Sequence, residues 1–174
     1  TDELSKDDLT GLEQEQTFNT DIKMMFIKKI DGYIFTLKIH EFAEFAQSNS
    51  NKIVDSFVKD FAEILRDSDE KNTAYRFYGS TFAMISLITH QDEILELAKK
   101  LKVSFESLAD EYGLSNIVHF GATPFNPIST TEEILEQTIH AYEEAVKLGK
   151  NECHIRDKND LYYRKIEKYI LSED

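Results

Sequence analysis

Apolar side chains at Phe18, Ile22, Met25, Phe26 and Ile30 fall close to the i, i+4, i+7, i+8 stripe of a helix with one buried face, so residues 18–30 are predicted helical. Asp31-Gly32 is a turn signal. After it, Phe35, Leu37 and Ile39 alternate with Thr36, Lys38 and His40, the period of a half-buried strand over residues 33–40 with Lys38 and His40 on one face. Helical spacing returns at Ile53, Phe57, Phe61, Ile64 and Leu65. Residues 75–78 and 81–88 are rich in strand formers and flank Gly79-Ser80, which suits a two-residue hairpin turn.

Ile94, Leu95, Ala98 and Leu101, continued by Phe105, Leu108 and Tyr112, make one long or broken helix that stops at Gly113. Residues 117–123 read as a short strand interrupted by the segment from Pro124 to Pro127. Thr130-Thr131-Glu132-Glu133 has the form of a capping box, opening a helix whose buried side is assigned to Leu135, Ile139, Tyr142 and Val146 and whose cap is Gly149. Residues 152–155 are a last short strand. Residues 161–171 are predicted to be a final helix with an apolar stripe at Tyr162, Ile166, Tyr169 and Ile170, expected to dock on this domain or lead into another. Helices that alternate with strands around one hairpin predict an α/β (α+β) fold with a central mixed five-stranded sheet flanked by helices. Without a linker or repeat, residues 1–156 are one domain, and 157–174 are a C-terminal helix or a linker toward a neighbour.

Charge narrows the function. The chain has 174 residues with 20 basic and 33 acidic side chains, a net charge of −13, so it lacks the positive field that nucleic acid or an anionic membrane requires. The acidic stretches at residues 1–8 and at Glu13-Gln14-Glu15 read as solvated helix surface. No signal peptide or apolar run of about 18 residues appears, so a cytoplasmic domain with no membrane insertion of its own is expected. Because the chain begins at Thr1 and not Met, it is expected to be a piece of a longer protein, which can carry a membrane anchor or a partner domain. Cys153 is the single cysteine and has no intrachain disulfide partner. The histidines at positions 40, 90, 119, 140 and 154 share no i, i+3 or i, i+4 spacing, and Cys153 and His154 would face opposite ways on a strand, so no metal site is expected. Nucleophile elbows, glycine-rich phosphate loops and C-x-x-C pairs are absent.

Three landmarks carry a resemblance. Asp7-Asp8-Leu9-Thr10-Gly11-Leu12 is similar to a D-x-L-T-G-L opening, Arg76-Phe77-Tyr78-Gly79-Ser80-Thr81-Phe82 to R-x-G-G-D-E-F on a hairpin, and Gly149-Lys150-Asn151 to a closing G-R-N. In that order over residues 7–155 they resemble the GGDEF domains, bacterial diguanylate cyclases that condense two GTP into cyclic di-GMP. The resemblance implies the family's fold, and it implies that the chemistry has been altered. The degenerate signature Tyr78, Gly79, Ser80, Thr81, Phe82 has hydroxyls at both carboxylate positions. With Phe42 as the Phe of the family's D-x-D-x-F-K run, the strand-borne metal carboxylate becomes Lys38 and the second Asp becomes His40. An ammonium about 4 Å from a dication, at an effective dielectric near 20, would repel it by roughly 8 kcal/mol. Of the guanine-reading pair, Ala46 replaces the Asn and Asp55 keeps the Asp. The phosphate-binding cations become Ala43, Val146 and Lys150.

Lys38, His40, Asp55 and Lys150 are therefore the candidate remnant of a nucleotide pocket, with Lys147 a further possible cation. In the family's product-inhibition frame R-x-x-D falls on Asp69 and Asn72, but Arg66-Asp67-Ser68-Asp69 lies three residues earlier. Arg66 and Asp69 are thus the candidate inhibitory-site remnant. The expected function is a catalytically inactive regulatory or interaction module of a cyclic di-GMP signalling protein, with no catalytic residue, metal or cofactor. Its expected partners are sensory or EAL-type domains of the same protein, another protein, or a second copy. The alternative is a sensor that binds GTP or cyclic di-GMP without turnover.

Overall fold

The computed structural model describes residues 6–126 and 130–157. Its elements in chain order are β1 (Glu13–Gln14), α1 (Glu15–Lys28), β2 (Gly32–Ile39), α2 (Phe42–Ser48), α3 (Asn51–Arg66), β3 (Asn72–Tyr78), β4 (Thr81–Ser86), α4 (Gln91–Glu111), β5 (Val118–Phe125), α5 (Thr131–Leu148) and β6 (Cys153–Ile155). One mixed sheet of order β1-β3-β4-β2-β5-β6 forms the middle layer. Its central pairs, β3–β4, β4–β2 and β2–β5, are antiparallel, and its edge pairs, β1–β3 and β5–β6, are parallel.

Strand alternation divides the core in two. Tyr33, Phe35 and Leu37 of β2 point to one face, where they pack with Phe57 and Phe61 of α3 and Leu101 and Phe105 of α4. Phe61 lies 4.9 Å from both Phe82 and Phe105, so the hairpin's Phe82 is locked into the centre of this cluster. The opposite face carries Ile34, Ala83, Ile85 and Tyr75 against Phe18, Ile22 and Met25 of α1 and Ile134 of α5. No helix among the described residues is long and apolar enough to cross a membrane.

The mixed helix-flanked sheet and the hairpin agree with the pattern of the sequence, and several details are corrected. The sheet has six strands, not five, because Glu13–Gln14 is no helix surface. It pairs in parallel with Tyr75 and Arg76 before α1 begins at Glu15. Helix α2 escapes a periodicity reading because seven residues are too few to show a period. α1 ends at Lys28 under a left-handed Lys29, so Ile30 lies past the helix and is 36% exposed. Ile53, in the first turn of α3, is also exposed. α4 is unbroken. β5 runs straight through Pro124, which pairs with Tyr33. Phe120 N donates to Glu152 O and Arg156 N to Ala122 O, so the nitrogens of alternate residues face β6, and that of Pro124 falls beyond the last paired residue of β6. The ring therefore removes no ladder bond. The proposed final helix and its stripe lie outside the described residues.

The largest correction concerns α5. Ile139 and Val146, expected on its buried side, are 47% and 43% exposed, and the sheet-facing residues are Ile134, Gln137, Thr138, Ala141 and Ala145. Gly121 is the cause. A Cβ added there would stand 2.3 Å from Tyr142 N and 2.6 Å from Ala141 Cβ, so helix backbone rests on strand backbone and only small residues fit between them. Gly121→Ala is expected to lower stability by about 1–3 kcal/mol through overpacking. A reduced urea midpoint at unchanged slope would show it, and an unchanged midpoint would mean that α5 lifts without cost.

Candidate functional site

The site is assembled on the face that α1 and α5 share. On β2, the central strand, the residues of the other face are buried, whereas Thr36 and Lys38, and His40 just past the end of the strand, are only half-buried. This face of the strand is therefore partly open to solvent. Lys38 pairs with Thr81 of β4 on one side and with His119 of β5 on the other. Its Nζ sits 4.7 Å from the centroid of the Tyr142 ring, a cation–π contact supplied by α5. The His40 and His119 rings meet edge to face with centroids 5.1 Å apart, and His40 Nε2 lies 3.1 Å from Glu41 Oε1. Burial depresses the His119 pKa, the neighbouring His40 lowers it further, and a hydrogen bond to the Gly149 backbone opposes both. His119 is 2% exposed, and its Nδ1 has no partner among the described residues.

The sequence landmarks act as anchors around this face. Asp7 Oδ2 accepts from Thr10 N at 2.9 Å and Thr10 Oγ1 at 2.7 Å, closing the turn that precedes β1. Arg76 reaches it from β3, with Nη1 3.1 Å from Asp7 Oδ2, while Nε and Nη2 donate to Gly79 O. One guanidinium thus holds the entry turn and the hairpin together. A register shift between Arg76 and Tyr78 makes room for a turn in which Gly79 takes φ +46°, a conformation that suits glycine. Ser80 O then accepts from Ile39 N at 3.0 Å, which ties the turn to the end of β2 beside Lys38. At the far end, buried Asn151 accepts at Oδ1 from Ile117 N (2.8 Å) and Val118 N (3.3 Å) and donates from Nδ2 to Ser115 O (2.8 Å). It fixes the turn that carries Lys150 next to the start of β5.

The remaining candidates lie apart. Asp55 is exposed on α3, which packs on the other face of the sheet from Lys38. Lys150 is exposed, and Lys147 is paired with Glu144 at 3.4 Å. Arg66 donates from Nη2 to Thr10 O, and Asp69 Oδ1 accepts from Lys71 N, so both already serve local structure. Tyr78 is 69% exposed on the hairpin. His119 and Tyr142 join the site without any local sequence signal. They reach Lys38 only through the β2–β5 register and the close approach of α5.

Comparison with protein-family models and with curated protein sequences gives no match. Solved structures do match. Diguanylate cyclase SiaD from Pseudomonas aeruginosa, in complex with its activator SiaC, is similar with a TM-score of 0.78 at 15% identity over 89% of this chain and 63% of that one. For the GGDEF domain of DgcB from Caulobacter crescentus, in complex with c-di-GMP, the TM-score is 0.72 at 17% identity over 87% and 93%. For the S helix-GGDEF-EAL structure of Vibrio cholerae LapD, bound to c-di-GMP, it is 0.73 at 15% identity over 98% and 43%. This chain has the fold of a GGDEF domain. It spans less than two thirds of the SiaD chain and less than half of the LapD chain.

The GGDEF resemblance implies a Mg²⁺ held by a carboxylate at position 38 together with the signature's acidic pair at positions 80 and 81, and the donors present do not fit it. An ammonium donates and offers no lone pair, a threonine hydroxyl is neutral, and Mg²⁺ prefers anionic oxygen. No group of three or more His, Cys, Asp or Glu among the described residues could hold a metal.

Burial alone would raise the Asp7 pKa, but the Thr10 and Arg76 hydrogen bonds and the Arg76 charge outweigh it and hold the carboxyl below its ordinary range. Asp7→Asn is expected to cost about 1–3 kcal/mol at neutral pH, the range for hydrogen bonds to a charged group. A depressed folded-state pKa stabilises above the unfolded value and loses that effect as pH falls through the folded one. Urea unfolding of the two proteins should therefore converge in acid, and a constant gap down to the lowest pH would deny the carboxylate this role.

Proposed function

We propose that this chain is a regulatory or interaction module of a cyclic di-GMP signalling protein, built on the GGDEF fold and without cyclase activity of its own. The observation that carries the reading is Lys38 opposite Thr81, a cation and a neutral hydroxyl where the resemblance calls for carboxylates. Phosphoryl chemistry of this kind needs a cation at the transferring phosphate to take up developing charge, and Lys38 repels a divalent one. The backbone anchors Asp7, Arg76 and Asn151 are present, so the shell of the domain is kept while its metal ligands are replaced.

A domain without turnover acts by changing the populations of its neighbours' conformations, and that requires contacts that differ between two states. The similarity to SiaD in complex with an activator and to LapD, where a GGDEF domain is joined to an EAL domain, supports a partner domain or a partner protein as that neighbour. A second copy of this chain is the third candidate.

Incubation with GTP and Mg²⁺ followed by chromatography is expected to yield no cyclic di-GMP, and product formed in proportion to protein would overturn the reading. The combined substitutions Lys38→Asp, Ser80→Asp and Thr81→Glu are expected to create Mg²⁺ binding measurable by calorimetry, with none expected for the parent.

A further inference from the structure

We propose that residues 161–171 form a helix that folds back onto the groove between α4 and β6 and covers the open edge of the sheet. This goes beyond the functional reading above and does not depend on it. The groove is a hollow of about 330 Å³ whose apolar floor is Leu95, Ala98, Cys153 and Ile155. Leu95 is 41% exposed, and Cys153 and Ile155 are half-buried against the core. β6 is the edge strand of the sheet. Phe120 N donates to Glu152 O and Arg156 N to Ala122 O, so the N–H and C=O groups of Cys153 and Ile155 are directed away from β5, toward that edge. An uncovered edge invites a strand from another chain, and a helix laid over it is one of the ways in which proteins prevent this.

The chain that follows β6 matches the groove in position, length and pattern. A short connection joins the end of α4 to the start of β5, and β6 runs parallel to β5, so α4 runs opposite to β6. Lys102 accordingly pairs with Glu152 just before β6, and the described chain leaves at Asp157 toward the Gln91 end of the groove. Lys158-Asn159-Asp160 has turn composition, and a reversal there sends residues 161–171 back along the groove. As a helix they would span about 15 Å, against about 17 Å of α4 from Gln91 to Lys102, at a rise of about 1.5 Å per residue. Tyr162, Ile166, Tyr169 and Ile170 would then lie on the apolar floor, with Arg164 and Lys168 on the opposite side. Charge favours the docked state. Residues 158–171 carry Lys158, Arg164, Lys165 and Lys168 against Asp160 and Glu167, a basic segment in a chain of net charge −13. The lysines at the groove do not oppose it, because Lys99 is paired with Glu96 at 3.5 Å and Lys102 with Glu152 at 2.6 Å.

Disulfide trapping in the full chain tests this directly. In a Cys153→Ser background, Leu95→Cys is combined either with Ile166→Cys on the stripe or with Lys168→Cys opposite it, and each protein is oxidised with copper phenanthroline. Two cysteines bridge only when their Cα atoms come within about 7 Å. The Ile166 pair is therefore expected to close an intramolecular disulfide about tenfold faster than the Lys168 pair, which shares the tether but not the face. Equal rates would mean that the tether alone brings the cysteines together, and they overturn the proposal. Disulfides between chains would give the groove to a second copy, and no disulfide from either pair would leave it uncovered; both outcomes also overturn it. A second measurement needs no engineered cysteine. Leu95→Asp, a change at an exposed residue, is expected to speed tryptic cleavage after Arg164 and Lys165 by about tenfold, because proteolysis follows the population of the released state. Cleavage there at the parent's rate overturns the docked helix.

Discussion

The approach of α5 to β5 at Gly121 is the constraint on which the site depends. With helix backbone in contact with strand backbone, a side chain at position 121 has no room, and the helix sits low enough for the Tyr142 ring to cover Lys38. The same seating brings the turn after α5 to the start of β5, where the Gly149 backbone meets His119 and Asn151 meets the Ile117 and Val118 amides. A larger residue at 121 would raise the helix and separate the aromatic, imidazole and turn contacts together. Tight packing of this kind transmits displacement because interiors have little spare volume.

Legibility of the sequence followed the range of the forces involved. β2, α3, the β3–β4 hairpin and the length of α4 were readable because each is set by local periodicity or by a turn residue such as Gly79. The buried face of α5 departs from its sequence pattern, which places large apolar groups inward, as in most amphipathic helices. A glycine on a strand far away in sequence reverses that choice. Pro124 has the local signature of a strand breaker, yet whether its missing N–H matters depends on how far β6 extends. The face shared by Lys38 and His40 was legible from alternation, but their neighbours His119 and Tyr142 were not, because the β2–β5 register and the seating of α5 have no signature within either segment.

The candidate site separates two kinds of residue. Asp7, Arg76 and Asn151 close turns through hydrogen bonds to backbone and to one another, and a fold that needs those turns constrains them directly. Lys38, Ser80 and Thr81 stand where replacement leaves the ladder intact, since the β2–β4 register runs through Lys38 and Thr81 without interruption. A half-buried sheet position can exchange a carboxylate for an amine at little cost in stability. Chemistry can therefore be altered while architecture persists, and this is why function must be argued from the site and not from the fold.

The same anchors give the entry segment a physical connection to the Lys38 face of the sheet. Asp7 holds Arg76, Arg76 holds the Gly79 carbonyl, and the adjoining Ser80 carbonyl accepts from Ile39 N, one residue beyond Lys38. Arg66 adds a second attachment from α3 to the Thr10 carbonyl within the entry turn. A partner that displaces the entry turn must break a charge-assisted bond or drag the hairpin with it, and the hairpin shares its last ladder pair on β2 with Lys38 and Thr81. The connection consists of short hydrogen bonds in series over a rigid sheet, so it requires only that one of them have two arrangements. The Arg76–Asp7 bond, near the surface and bridging two segments distant in sequence, is the one best placed to do so.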